Sequence, residues 1–235
     1  MVGTKKPKLS IAVVNYKQDN ELFTLVKSLK SKLKTNYEIL VFDNSQSLKK
    51  HDDYKLFNLG KNVGYGAAVN YLSIKAAGTY FMVLNPDVKV IDNLDIALEQ
   101  YKNLNLKFAI YSLGKSEKLY NLPLFTKFTK IKKFSGFAFL TTTTFFKTIG
   151  GFDINYFMYF EDDDLCRRLT PFKLSVFLPQ TTFVKHTKTY TNESFKKRKL
   201  HYYKSLKVYL KTYYPVLFYI YSPLIYLLQK YYAQV

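Results

Sequence analysis

The four consecutive acids in YFMYFEDDDLCRRL, Tyr156 to Leu169, are the residues with the clearest capacity for chemistry. Glu161, Asp162, Asp163 and Asp164 stand between an aromatic run and the basic pair Arg167 and Arg168. Burying four neighbouring carboxylates without partners is very costly, so some of them must face solvent, a cation or bound groups. At the start of a helix they are favoured by the partial positive charge of its amino end, which alone accounts for an acid cluster with arginines behind it. The same arrangement can also make a general base, because like-charged neighbours raise the proton affinity of a carboxylate. Asp87, in LNPDV, offers a different chemistry. Pro86 cannot donate a ladder hydrogen bond, so a strand must end or turn there and present Asp87 at the sheet rim. A carboxylate at that place suits a hard divalent cation bridging phosphate oxygens, and equally suits a turn or a helix cap. Asp43, in LVFDNS, can accept hydrogen bonds from a base or ribose, although Asp-Asn-Ser is also ordinary turn composition. His186, in TTFVKHT, follows a strand pattern; a lone histidine is usually a surface or packed residue, but beside Asp87 it would complete a pair of metal donors.

The elements that must position these residues follow from apolar patterning. Leu9 to Val14 is a short Ile- and Val-rich run that reads as a buried strand. Leu22, Leu25, Val26, Leu29 and Leu33 then repeat at helical spacing, with Asp19 or Asn20 available as cap. YEILVFDN reads as a second strand, Tyr54 to Gly60 as a third, and TYFMVLNPDV as a fourth that stops at Asn85-Pro86-Asp87. Between the last two, a glycine-containing loop runs into a small-residue helix. This βαβ alternation predicts an α/β fold, a doubly wound, mostly parallel sheet with helices on both faces. In such sheets ligands bind beyond the carboxyl ends of the strands. Asn15-Tyr16, Asp43-Asn44 and Asn85-Pro86-Asp87 all lie there, so three separate segments converge on one crevice.

Later in the chain the spacing predicts a helix at about Asn93 to Asn103 and no regular element from Ser112 to Lys133. FSGFAFLTTTTFF gives a strand with Gly136 near its start, then a short helix ended by Gly150-Gly151. Leu174 to Leu178 and Thr182 to Val184 are short strand candidates, and from Glu193 the chain reads as a basic, aromatic helical segment.

Composition sets the outer limits. At 235 residues with 48% hydrophobic and 23% charged residues, the chain has the makings of one sizeable folded domain plus a tail. Its 36 Lys and Arg against 17 Asp and Glu favour polyanionic partners: nucleic acid, anionic lipid head groups or phosphorylated substrates. A single cysteine, Cys166, fits a reducing compartment, and the first residues carry no secretory pattern, so a cytoplasmic protein is expected. Val216 to Leu228 is an uncharged run of 13 residues containing Pro223, too short to span a bilayer but suited to lying on one. Eleven of the 22 tyrosines fall between Tyr190 and Val235, interleaved with lysines, as at a membrane interface or on a helix packed against the domain. No nucleic-acid-binding motif accompanies the charge, and ordered carboxylates repel phosphate, so no nucleic acid partner is expected. A sugar-nucleotide nucleotidyltransferase is disfavoured because no glycine- and basic-rich phosphate loop follows the first strand.

Taken in order, VVNYK, VFDNS, NVGYGAAVN, LNPDV, GGFDINYFMYFEDDDLCRRL and the late VKH resemble a bacterial inverting glycosyltransferase of family 2, close to the rhamnosyltransferase-like branch, with a GT-A fold. The resemblance runs from Leu9 to about Lys211. It implies a nucleotide-sugar-binding and catalytic domain over residues 1–190 and a basic aromatic tail over 191–235. Tyr16 and Asp43 would hold the nucleotide with Asn44 supporting the turn, and Gly64, Asn70 and Asn85 would line the nucleotide-sugar side. Asp87, joined by His186, would hold Mn²⁺ or Mg²⁺. Asp162 would be the catalytic base, Glu161 would position the acceptor or the base, and Gly136 would stand beside the acceptor. Asp163 occupies a position where relatives often carry an apolar residue, which leaves the base as Asp162 or Asp163. The implied donor is dTDP-rhamnose or a UDP-hexose. The implied acceptor is a growing, lipid-linked cell-surface polysaccharide at the inner face of the cell membrane, with the tail on anionic lipid.

Overall fold

The computed structural model describes residues 6–103, 109–114, 128–131, 134–170, 175–179, 182–187 and 194–234. Strand β1 (Leu9–Asn15) is buried along its whole length and pairs in parallel with both β2 (Tyr37–Asp43) and β4 (Tyr80–Leu84). β3 (Lys55–Phe57) extends the parallel half beyond β2. Beyond β4 the sheet becomes mixed. β8 (Ala138–Thr142) runs antiparallel between β4 and β6 (Ala109–Ser112), and β9 (Ser175–Pro179) and β7 (Phe128–Ile131) complete eight strands in the order β3-β2-β1-β4-β8-β6-β9-β7. The doubly wound expectation therefore describes the first half of the sheet, and an antiparallel strand joins it to the second.

Helices cover both faces, and β1 shows why: its side chains alternate between two cores. Ile11 and Val13 meet α1 (Asp19–Lys32) and α3 (Leu94–Asn103) in one core. Ala12 and Val14 meet α2 (Tyr65–Lys75), α4 (Thr143–Thr148) and α5 (Glu161–Leu169) in the other. Leu22, Leu25, Val26 and Leu29 form the buried stripe of α1, as their spacing requires. The cap differs from expectation. Gln18 is the capping residue and Asp19 opens the helix, because Asn15 reaches forward, its Oδ1 accepting the Gln18 N–H at 3.3 Å and its amide donating to Asp19 at 2.7 Å.

Strand β5 (Val88–Val90), absent from the sequence reading, forms a separate antiparallel ribbon with β10 (Val184–His186). Most of Ser112 to Lys133 lies outside the described residues, as do Leu174 and Glu193. The C-terminal segment forms two helices, α6 (Phe195–Tyr213) and α7 (Pro215–Ala233). α6 packs on the loop before α5: the Ser205 hydroxyl donates to the Met158 carbonyl at 2.7 Å, and His201 stacks on Phe157.

Candidate active site

A cleft of about 760 Å³ opens at the carboxyl ends of β1 and β4. Tyr16, Asn44, Gly64, Asn85, Gly136 and Glu161 to Asp163 line it, and His186 closes one side. Segments more than a hundred residues apart in sequence thus meet where open α/β sheets bind ligands.

On the β1–β2 side the local chemistry is backbone support. Asn44 is buried and ties the glycine loop to the sheet: its Oδ1 accepts the Val63 N–H at 3.0 Å and its amide donates to the Gly64 carbonyl at 3.1 Å. Gly64 caps α2 with φ of +85°, and a Cβ there would stand 2.3 Å from the Phe157 carbonyl oxygen. That position requires glycine on both counts. Asp43 and Asn70, both expected near the nucleotide sugar, stand behind the wall rather than on it. Asp43 Oδ1 accepts from the Ser45 backbone at 2.9 Å and hydroxyl at 2.6 Å, and Oδ2 accepts from Leu48 N–H at 2.8 Å. Asn70 grips Phe152 by both backbone groups, at 2.9 and 2.7 Å, and so fixes the turn that follows Gly151.

Asp87 is brought to His186 by the β5–β10 ribbon, in which His186 pairs with Val88. His186 Nε2 lies 3.1 and 3.0 Å from the two oxygens of Asp87, and its ring stacks on Phe137. Thr187 clamps the same corner, donating to the Asp87 carbonyl from its backbone at 2.9 Å and its hydroxyl at 2.6 Å. Two residues before Asp87, the Oδ1 of Asn85 is buried without a hydrogen-bond partner. Among the described residues no group of three or more His, Cys, Asp or Glu side chains is placed to hold a metal ion.

The acid run divides into separate roles. Asp164 is buried and structural: it accepts from Arg168 Nε at 2.8 Å and from the Tyr213 hydroxyl at 2.7 Å. Asp162 lies on the cleft wall, where Oδ2 accepts the Gly136 N–H at 3.1 Å and Oδ1 accepts the Asp163 N–H at 2.9 Å. Gly136 acts here through its backbone, since its carbonyl also accepts the Tyr65 hydroxyl at 2.7 Å. A Cβ on Gly136 would lie in ordinary contact, 3.5 Å from Asp162 Cβ. Glu161 is buried, and its Oε2 has no hydrogen-bond partner. Burial first, then the charges of Asp162 and Asp163, push its carboxyl well above the usual carboxylate range.

The turn that presents these acids is strained. Tyr159 and Phe160 have φ of +72° and +68°, a region non-glycine residues seldom occupy and one that costs on the order of 1–2 kcal/mol per residue. The surroundings hold them there. Phe160 packs against Tyr202 and Tyr209 of α6, and Tyr159 against Tyr202, which also lines the cleft. Arg167, one turn into α5, donates to the hydroxyls of Tyr209 and Tyr214 and lies over three tyrosine rings. Sequence reading missed Tyr202 and Gln18 as cleft residues; the tyrosine-rich spacing of α6 was a signal for Tyr202, but not for which face it presents.

The fold and the cleft at its strand ends define a GT-A protein. The family model "Glycosyl transferase family 2" matches residues 10–163, and the chain belongs to that family. Among solved structures, it is similar to the mannosyltransferase PcManGT from Pyrobaculum calidifontis in complex with GDP-Man and Mn²⁺ (13% identity, TM-score 0.64, 87% of this chain and 63% of that one). It is also similar to GalNAc-T7 with UDP, GalNAc and Mn²⁺ (15% identity, TM-score 0.69, 93% and 51%) and to residues 1–349 of S. aureus TarS (15% identity, TM-score 0.59, 86% and 64%). The chain spans about half to two thirds of the length of these structures. Comparison of the sequence with curated proteins finds no significant match.

Proposed function

We propose that the protein is an inverting glycosyltransferase that moves a sugar from a nucleotide-sugar donor to an acceptor hydroxyl, with Asp162 as base. The observation that carries this reading is the meeting of Asp162, Asn85 and His186 on one cleft of a family 2 chain. The acceptor oxygen attacks the anomeric carbon from the face opposite the leaving group, the bond from that carbon to the phosphate oxygen breaks, and the nucleoside diphosphate leaves with the electron pair. The acceptor proton passes to Asp162. Asp162 is favoured over Asp163 because the Gly136 N–H fixes one of its oxygens on the wall.

Tyr16, Gln18 and Asn44 would meet the nucleotide, with Asp43 and Asn70 holding the segments behind. Asp87, His186 and the orphaned Asn85 oxygen would hold Mn²⁺ or Mg²⁺, to which carboxylate, imidazole and amide oxygen are suited. When bound there, the ion neutralises charge on the departing diphosphate. Similar structures hold GDP-Man with Mn²⁺, UDP and GalNAc with Mn²⁺, and, in a complex of TarS 1–349, UDP-GlcNAc, which supports a nucleotide-sugar donor and metal use. We place dTDP-rhamnose first among donors and UDP-hexoses behind it, on the branch that the sequence motifs resemble. The acceptor in this reading is a growing lipid-linked surface polysaccharide at the inner face of a bacterial cell membrane, reached by peripheral contact through residues 191–235. Release of nucleoside diphosphate from a panel of these donors, with water standing in for the acceptor, tests the reading. Release by wild type that Asp162→Asn abolishes supports it; equal release by both overturns the assignment of the base.

A further inference from the structure

We propose that α7 is an in-plane membrane helix whose outward stripe, Val216, Ile220, Leu224, Leu227 and Tyr231, enters the acyl boundary of an anionic leaflet while the lysine face of α6 meets the head groups. The proposal deepens the lipid-linked acceptor reading and rests on it for its biological meaning, but not for its test. The stripe residues fall at intervals of four, four, three and four, which keeps them on one side of a helix. They are 71%, 63%, 54%, 62% and 61% exposed, whereas Ile225, on the side facing α6, is 3% exposed. Tyr219 and Tyr226 flank the stripe and are also exposed, as suits the head-group boundary. A row of large apolar side chains this exposed marks an interaction surface.

Charge decides the occupant. Residues 194–234 carry eight Lys and Arg and no Asp or Glu. On α6, Lys197, Lys204 and Lys211 repeat every seven residues, with Lys207 between them, and all four are exposed. A second copy docked through the same face would set this cationic surface against its equal, since a two-fold interface is self-complementary. Nucleic acid would meet the lysines but leave the apolar stripe in water. An anionic bilayer satisfies both at once.

The backbone of α7 is prepared for a medium without water. Pro223 deprives the Tyr219 carbonyl of its helical donor, and the Ser222 hydroxyl donates to that carbonyl at 3.3 Å. Among the described residues no helix is long and apolar enough to cross a membrane. α7 therefore lies along the surface. It is tied to α6 by the Gln229 amide, which donates to the Tyr203 carbonyl at 3.0 Å, and by the stacking of Tyr203 on Tyr232. Since Tyr202 of α6 lines the cleft, the seat on the lipid is one helix away from the sugar site.

The test is flotation of the full chain with vesicles of phosphatidylcholine alone and of phosphatidylcholine mixed with phosphatidylglycerol. Wild type is expected to float with the mixed vesicles and at least about tenfold less with neutral ones. Ile220→Glu combined with Leu227→Glu, both on exposed positions, is expected to lose at least about tenfold of that binding with an unchanged melting temperature. Lys204→Glu combined with Lys211→Glu should erase the preference for the anionic lipid. Wild type that stays unbound with both vesicles, or the apolar double variant floating like wild type, overturns the proposal. So does light scattering that finds a dimer broken by Ile220→Glu and Leu227→Glu in a chain that ignores vesicles. Flotation needs neither donor nor turnover, so its failure is separate from failure of the transferase reading.

Discussion

At the scale of the residue, four adjacent carboxylates have been given different environments by one turn of helix. Asp164 turns inward to Arg168 and Tyr213, Asp162 and Asp163 reach the cleft, and Glu161 is buried without a partner for Oε2. Replacing Asp162 by Asn should lower turnover by a factor of about 10² or more while costing about 1–2 kcal/mol of stability, because the amide oxygen can accept from Gly136 N–H or Asp163 N–H but not both. Steady-state kinetics beside urea unfolding would read both numbers. For Glu161 the sign follows from where its proton sits. Its folded carboxyl titrates above the ordinary 4.5, so the stability it contributes is fully present below about 4.5 and is lost as pH rises through the raised folded value. Glu161→Gln should flatten that slope and leave the variant more stable than wild type at alkaline pH. Urea melts on either side of neutrality would show it; a variant less stable than wild type at alkaline pH would count against that raised value.

At the scale of the element, α6 works as a brace for the turn that leads into α5. Tyr159 and Phe160 keep a left-handed backbone because Tyr202, Tyr209 and Ser205 over-determine them. Ser205→Ala leaves the partly buried Met158 carbonyl without that donor, at a cost of about 1 kcal/mol. Turnover should fall with it, since the loosened turn no longer fixes Asp162; unaltered kcat in a destabilised variant would confine α6 to a structural part. Legibility also divides by element. β1, α1, β2, α2 and β4 could be read directly, because Ile, Val and Leu periodicity over a local βαβ unit leaves little choice of partner. β5 and β10 are three residues each, and β10 supplies the histidine that meets Asp87, a pairing across 99 residues. Short strands carry too few residues for a period, so His186 could be singled out only by its chemistry and its place after an apolar run. The face that α6 turns to the domain was not legible either, since tyrosines surround the helix and tertiary packing selects among them.

At the scale of the molecule, a net charge of +19 coexists with a cleft lined by Glu161, Asp162 and Asp163. A cationic exterior draws a diphosphate donor by long-range attraction, which salt screens over a distance of about 10 Å at 0.1 M. The apparent KM for a nucleotide sugar should therefore rise several-fold as the ionic strength is raised, with kcat little changed; a KM indifferent to salt would localise donor binding wholly in short-range contacts. The central claim is a cleft that takes a nucleotide sugar with help from the Asp87 and His186 corner. The most direct test is thermal stabilisation of the purified protein by dTDP-rhamnose and a panel of UDP sugars, with and without Mn²⁺, repeated on Asp87→Ala. A rise in melting temperature with one donor, enlarged by Mn²⁺ in wild type and not in the variant, is expected. A well-folded wild-type protein whose melting temperature ignores every donor, with and without the metal, would contradict it.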